Sequence, residues 1–304
     1  MIKSLTITNH LGESIELELG APEKSGLFIS QIEGLGPPKA TVNTSDMATN
    51  DGSIFNSSRV GQRNIVLTLG FLFNPTIEDS RQKSYKYFPI KKRIRIEVET
   101  ENRICETYGI VESNEPIFFS AMTGTVISVI CPDPYFYSTG EDGLTVSTFF
   151  AQDPLFEFDF SNESLTENLI EFGNIISVPE QTIFYEGDAD TGVVMYLHAL
   201  GAVENITIHN TQTLESMRID TDKLTTLTGS GLGAGDTIII STIKGAKSIY
   251  LLRLGVHINI LNCLDRNSDW FQLSKGDNVF AYEVEVGSSN LEFRIENQTL
   301  YEGV

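Results

Sequence analysis

The chain is poor in the residues that catalysis, metal binding and membrane insertion draw on. Among 304 residues there are three cysteines, four histidines and one tryptophan. Cys105, Cys131 and Cys263 lie too far apart in sequence for a metal-spaced pair or a disulfide framework, so they are expected as buried small hydrophobes. His10, His198, His209 and His257 make no His-x-x-x-His or Glu-x-x-His cluster, and His198, inside an apolar run, is expected as a hydrogen-bonded core residue. No cofactor or metal site is expected. No window approaches the roughly 18 apolar residues of a membrane span, and the opening stretch from Met1 to Leu19 alternates where a leader would carry an apolar block. A soluble chain made without a signal peptide is the expectation.

The largest absence is of positive charge. Residues 104–217 hold 18 Asp and Glu but no Lys or Arg, whereas residues 1–103 hold 13 basic and 12 acidic side chains and residues 218–304 hold 8 and 11. Nearly all of the net charge of -20 therefore sits in the middle third. Such a surface repels phosphates and excludes ordinary nucleic-acid binding, which rests on Lys and Arg neutralising the backbone.

What is present is alternation. Ile2, Leu5, Ile7 and Ile15, Leu17, Leu19 flank Asn9-His10-Leu11-Gly12, the pattern of a hairpin. A strand is expected at 27–32, followed by a stiff Gly34-Leu35-Gly36-Pro37-Pro38 connection. Residues 41–60 are polar with Asp51-Gly52 at the middle, too polar to pack alone, and are expected to form either an extended arm or long hairpin lying on a neighbour, or a mobile surface loop. After a strand at 64–73 comes one helix, with Asn74 as N-cap, Pro75 at the first position and Pro89 forbidding continuation. Tyr85 and Phe88 are expected to dock it beside Ile77 and Arg81. The central run from Ile90 to Tyr137 supplies further strands around a polar corner at Asn114-Glu115-Pro116 and closes on Cys131-Pro132-Asp133-Pro134-Tyr135-Phe136-Tyr137. Between Arg81 and Arg103 eight Lys and Arg face three acids, a solvated face or, beside an acidic neighbour, a docking surface. Beyond residue 138 a second domain is expected. It opens with a Phe-rich acidic stretch at 144–160 and continues as many short strands separated by Gly, Asn or Asp, without a good helix, which describes an antiparallel β-sandwich.

Three stretches superficially suggest chemistry. Gly229-Ser230-Gly231-Leu232-Gly233-Ala234-Gly235 lacks the flanking helix and spacing of a phosphate cradle and is expected as a flexible β-connection. Asp188-Ala189-Asp190-Thr191-Gly192 lacks the fifth-position ligand and the closing Glu of a calcium loop. Trp270 beside Asp269 could stack a sugar, but no set of polar partners accompanies it. No paired carboxylates stand out from the acidic background, so no catalytic residue is assigned and no enzyme is expected.

Several short motifs in order along the chain resemble the distal tail protein family of long non-contractile-tailed phages, the siphovirus tail components of phages and prophages of Gram-positive hosts. In the first half these are Gly26-Leu27-Phe28 with the Gly34-Leu35 corner, Asp51-Gly52 with Ser58-Arg59 and Arg63, Tyr87-Phe88-Pro89, and Cys131-Pro132-Asp133-Pro134-Tyr135-Phe136. In the second half they are residues 186–192, Leu232-Gly233-Ala234-Gly235-Asp236, Gly245-Ala246-Lys247-Ser248 and residues 273–278. The resemblance implies a mainly β chain: a ring-forming N-terminal β domain over residues 1–138 with one helix and an extended arm, and a galectin-like C-terminal antiparallel β-sandwich over 139–304. It further implies a hexameric ring hub at the virion tail tip, linking the tail tube to the baseplate or adsorption apparatus and assembled in the host cytoplasm. Implied partners are copies of the chain, the major tail tube protein, the tape-measure protein and tail-associated or baseplate proteins, with no membrane and with DNA only passing through the lumen. Asn50, Asp51, Asn56, Arg59 and Arg63 become candidates for the ring interface. The acidic middle third would keep passing DNA from adhering if it lines the lumen, or serve the solubility of an outward surface. The rival reading is a carbohydrate-recognising host-adsorption protein using the second sandwich, although no galectin-type sugar-binding set of His, Asn, Arg, Trp and Glu can be located.

Overall fold

The computed structural model describes residues 1–47, 51–117, 123–139, 144–149, 152–153, 174–175 and 180–304. The fold is mainly β. It divides into two units, residues 1–143 together with 300–304, and residues 144–299.

Unit 1 is built from β1 (Ile2–Thr8), β2 (Ser14–Glu18), β3 (Leu27–Glu33), β4 (Ala40–Asp46), β5 (Ser53–Val60), β6 (Arg63–Phe71), α1 (Ile77–Tyr87), β7 (Arg93–Thr100), β8 (Ile104–Ile117), β9 (Gly124–Cys131) and β10 (Phe136–Ser138). Its main sheet runs β2-β1-β7-β8-β9-β6-β3, antiparallel throughout, with β10 added beside β8. Period-two alternation puts Leu5, Ile7, Ile65, Leu67, Leu69, Ile94, Ile96, Val98, Ile127 and Val129 on one face, where they are buried together with Phe88 and Phe136. The opposite face carries the charged members of the alternation, such as Arg95 and Glu97.

Two local expectations change. The helix is capped by Thr76 instead of Asn74: Asp79 N–H donates to Thr76 Oγ1 at 3.2 Å, and Thr76 N–H donates back to the Asp79 carboxylate. This capping box outcompetes Asn74, whose amide instead donates to the carbonyls of Glu23 and Lys24, holding the preceding loop. The helix docks through the small residues Ser80 and Ser84 and the following Phe88, while Tyr85 is 40% exposed. Ser80 Oγ donates to the Leu72 carbonyl at 2.8 Å, and a Cβ on Gly26 would stand 2.6 Å from that same Oγ, so a close approach selects the small side chains. The polar corner at Asn114-Glu115-Pro116 is also absent. β8 passes straight through it, with a register shift between Val111 and Ser113 absorbing Glu112 as a bulge.

Unit 2 contains β11 (Leu144–Phe149), β12 (Gln152–Asp153), β13 (Asn174–Ile175), β14 (Glu180–Tyr185), β15 (Thr191–Ala199), β16 (Glu204–Asn210), β17 (Glu215–Ile219), α2 (Thr221–Thr228), β18 (Thr237–Ser241), β19 (Ser248–Arg253), β20 (Val256–Asn259), β21 (Gln272–Leu273), β22 (Gly276–Val286) and β23 (Leu291–Gln298). One sheet runs β11-β23-β15-β18-β19-β20 with β21 beside β15, and a second runs β14-β22-β16-β17. Met195, Leu197, Ile238, Ile240, Leu251, Phe293 and Ile295 of the first share a buried core with Ile183, Ile206, Ile208, Met217, Phe280 and Tyr282 of the second, which makes the unit a β-sandwich. The sandwich does hold a helix, α2, contrary to expectation. Asp220 accepts from the N–H groups of Asp222 and Lys223, and Gly229 closes the helix at φ 82°. The glycine that suggested a loop is its C-terminal stop. Residues 150–151 and 154–173, which take in part of the Phe-rich acidic stretch and the link after it, lie outside the described residues.

The last strand, β24 (Leu300–Tyr301), follows β23 in sequence but belongs to unit 1, where it pairs with β10 through Phe136↔Tyr301 and Tyr137↔Leu300. No helix among the described residues is long and apolar enough to cross a membrane.

Candidate assembly surface

Among the described residues β4 and β5 pair only with each other, from Ala40↔Val60 at the foot to Asp46↔Ser53 at the tip. Every residue from Ala40 to Arg59 in these strands is exposed. The pairing shifts between Asn43 and Thr44, leaving Asn56 as the bulged residue, and its amide donates to Ser45 Oγ at 2.6 Å. On the facing pair, Asn43 donates to Ser57 Oγ at 3.0 Å. Beside these polar rungs stand Val42 at 56% exposure, Ile54 at 57% and Phe55 at 62%. A lone two-stranded hairpin is marginal in water, and both of its outer edges present unpaired N–H and C=O groups. Apolar side chains, open edges and no core of its own suit the hairpin to lie against another surface.

Of the interface candidates, Asp51 sits in the exposed turn, Asn56 at the bulge, and Arg59 opposite Thr41, all on the arm. Asn50 lies outside the described residues. Arg63 is elsewhere: at the arm's foot, only 3% exposed, with its guanidinium turned into unit 1. Nε donates to the Pro134 carbonyl at 2.7 Å, Nη1 to those of Gly34 at 2.5 Å and Gly36 at 2.7 Å, and Nη2 to that of Glu302 at 2.5 Å. The cation also lies 4.5 Å from the centroid of the Phe136 ring. Burial lowers the Arg63 pKa from its ordinary value, and the four carbonyl dipoles take the place of lost water. Arg63 thus clasps the strand entering the arm, the strand leaving it, the Pro132–Pro134 turn and residues 300–304 at one point.

Its surroundings fit that role. Gly34 is at φ 86°, and a Cβ there would lie 2.0 Å from the Asn64 carbonyl oxygen, so only glycine permits the turn that aims its own carbonyl at Arg63. Asp133, bracketed by two prolines, accepts from Tyr135 N–H at 3.1 Å and from the Tyr137 hydroxyl. Burial, then the Asp133 carboxylate, raises the Tyr137 pKa. Val304 N–H donates to the Leu35 carbonyl at 3.0 Å. Nothing in the alternation of Leu300-Tyr301 signalled this return, because its partner lies more than 160 residues earlier in the chain.

The remaining stretches singled out by sequence serve structure. The Gly229–Gly235 loop is hydrogen-bonded to the sheet: Arg253 donates to Ser230 Oγ, the Gly231 carbonyl and both oxygens of Asp236, which also accepts from Gly233 N–H. Asp188 pairs with Lys275 at 3.2 Å, and no group of three or more His, Cys, Asp or Glu suited to a metal occurs among the described residues. Trp270 packs against the sandwich core with Lys247 over its ring at 5.2 Å. His198 hydrogen-bonds Thr237 Oγ1 at 2.9 Å as expected, but it is half-buried on the outer face of its strand and not in the core. Three of the eight cations of the basic stretch are ion-paired inside unit 1, Arg81 with Glu78, Lys86 with Glu13, and Arg95 with Glu97 and Glu106, while Arg93 covers Tyr108 and Arg103 covers Tyr301.

Residues 186–297 match the family described as Siphovirus-type tail component, C-terminal domain. The SPP1 Dit (gp 19.1) protein, described as a paradigm of hub adsorption apparatus in Gram-positive infecting phages, is similar in structure with a TM-score of 0.65 and 11% identity, over 98% of this chain and 99% of that one. A chain of the phage P2 baseplate in its activated conformation with Ca aligns over 98% of each chain at 12% identity, with a TM-score of 0.45 that is too low to bear on the fold. No curated protein matches. Residues 186–297, inside unit 2, thus match a siphovirus-type tail component C-terminal domain, and the fold of the chain across its two units is similar to that of SPP1 Dit.

Proposed function

We propose that the chain is a structural hub of a phage tail tip, a ring of about six copies closed by the β4–β5 arm. The observation that carries this reading is the arm itself: a hairpin whose strand residues from Ala40 to Arg59 are all exposed, with Val42, Ile54 and Phe55 in water and both edges open among the described residues, on a foot held by Arg63. A segment so built gains its packing from a neighbour, and an identical neighbour offering the same receiving surface produces a closed ring. The matched C-terminal tail-component domain and the hub description of the SPP1 protein support the setting, in which the ring joins the tail tube and tape-measure protein to tail-associated baseplate proteins. Asp51, Asn56 and Arg59 are the contact candidates on the arm. Arg63 acts by fixing the arm's direction. In this reading the protein is assembled in the host cytoplasm, resides in the virion and catalyses nothing. Its acid-rich middle third, where it faces the lumen, lets DNA pass without adhering.

Electron microscopy and sedimentation of the purified full chain test this. Annular particles of about six copies are expected, and Val42→Asp/Ile54→Asp/Phe55→Asp should abolish them while leaving the melting temperature of the monomer little changed, since these side chains are more than half exposed and belong to neither buried core. Annuli that persist in the triple variant would remove the arm from ring closure.

A further inference from the structure

Each sheet of the sandwich ends in a strand whose outer hydrogen-bonding groups need a partner, and unit 2 treats two of these edges differently. The outer edge of β17 is covered: Asp265 N–H donates to the Arg218 carbonyl at 2.9 Å, Asp269 N–H to that of Ser216 at 2.8 Å, and Arg218 N–H to Ser268 Oγ at 3.0 Å. Among the described residues β20 has no such cover and pairs with β19 alone, through Arg253↔Val256, Leu251↔Ile258, Leu252↔His257 and Tyr250↔Asn259. Ile260 N–H donates to the Ile249 carbonyl at 3.1 Å, which sets the parity of the ladder and turns the backbone N–H and C=O groups of His257 and Asn259 away from β19. The strand is four residues long and carries neither Lys nor Pro nor a bulge, three of the devices that keep an edge from pairing.

Two further features mark this edge. The hairpin joining β19 to β20 turns through Leu254 at φ 50° and Gly255 at φ 78°, where Asn or Asp is the usual first residue. Leu254 is 96% exposed, so an apolar, branched side chain stands in water in a backbone conformation it disfavours. Val256 beside it is 59% exposed and Tyr250 is 36% exposed. In addition, residues 237–264 contain no Asp or Glu, only Lys244, Lys247, Arg253 and His257, in a chain of net charge -20. Arg253 is bound to Asp236, but Lys244 and Lys247, in the turn at the opposite end of β19, are exposed and in no ion pair among the described residues. The edge therefore runs from an apolar anchor at Leu254 to two exposed cations that no carboxylate pairs among the described residues, Lys244 and, over the Trp270 ring, Lys247.

We propose that β20 is a strand-addition site for an extended acidic segment of another protein, which pairs with the backbone of His257 and Asn259, packs an apolar residue on Leu254 and sets its carboxylates beside Lys244 and Lys247. The site lies in unit 2 and is independent of the β4–β5 arm, so its failure would leave the ring reading untouched.

Yeast-displayed random decapeptides selected on the full chain test the proposal. Enriched peptides should be acidic and alternate apolar with polar residues, and at saturation they should slow amide exchange at His257 and Asn259. His257→Pro, which removes an outward-facing N–H and leaves the β19 ladder intact, should abolish binding. Lys244→Glu/Lys247→Glu, which leaves the backbone untouched, should weaken it about tenfold. Failure to enrich any peptide, or enrichment of peptides indifferent to both variants, would overturn the site. Self-association of the wild type that His257→Pro removes, with no peptide enriched, would assign the edge to a second copy and overturn it as well.

Discussion

Replacing Arg63 by methionine keeps much of the side-chain volume and its contact with Phe136 while deleting the guanidinium. Four carbonyls, of Pro134, Gly34, Gly36 and Glu302, then lose their donor in a site where the arginine is only 3% exposed. A hydrogen bond from a charged donor contributes about 1.5–3 kcal/mol, but four bonds to one group do not add, and removing the cation also removes its desolvation cost. The net loss expected is about 3–5 kcal/mol, the range found when one partner of a buried charged set is deleted. For a unit of this size that lowers the unfolding midpoint by about 10 °C. Urea titration followed by far-ultraviolet circular dichroism measures the first quantity, and hydrogen exchange of residues 300–304 locates it. Those amides should lose protection, because the Arg63–Glu302 bond and the Val304–Leu35 bond close the same corner. Arg63→Lys should recover less than half of the loss, since one ammonium cannot reach carbonyls arranged around a planar fork. A destabilisation under about 1 kcal/mol for Arg63→Met, or unchanged exchange in 300–304, would refute the view that this one side chain organises the foot of the arm.

Three further outcomes are expected. Burial pushes the Asp236 carboxyl up, but the Arg253 bonds and Gly233 N–H outweigh it and leave the pKa below the usual carboxylate value. Its stabilisation is therefore fully present above the unfolded value of about 3.9 and is lost as pH falls through the lower folded value. Asp236→Asn should cost about 1–3 kcal/mol at pH 7 by urea titration, and the gap to wild type should close only in strong acid. Burial pushes the Cys105 and Cys131 thiols up to about 11 and raises that of Cys263, so Ellman's reagent at pH 8 should find no reactive thiol in the native chain and three after denaturation. Thr76→Ala, which removes the capping box of α1, should cost about 1 kcal/mol, whereas Asn74→Ala should act through the loop at Glu23 and Lys24.

Patterns confined to neighbours in sequence determined much of this protein unaided. The β1–β2 hairpin, the strands at 94–99, 193–199, 206–210, 237–242 and 248–252, and the Asp51-Gly52 arm were legible because period-two burial and turn chemistry are written within a few residues. The helix was legible but its cap was not, since Asn74 and Thr76 are both good caps and only the reciprocal Asp79 bond and the Glu23 and Lys24 carbonyls decide between them. α2 was missed because eight residues rich in threonine carry little helical periodicity, and its evidence is the pair of ends at Asp220 and Gly229. Tertiary structure alone decided that Arg63, though adjacent to the arm, faces inward, and that residues 300–304 complete the unit from which residues 144–299 separate them. The physical reason is the same in both cases. A buried cation and a two-residue strand have no local preference strong enough to place them, so their positions follow from carbonyls and strand edges contributed by segments far away in the chain.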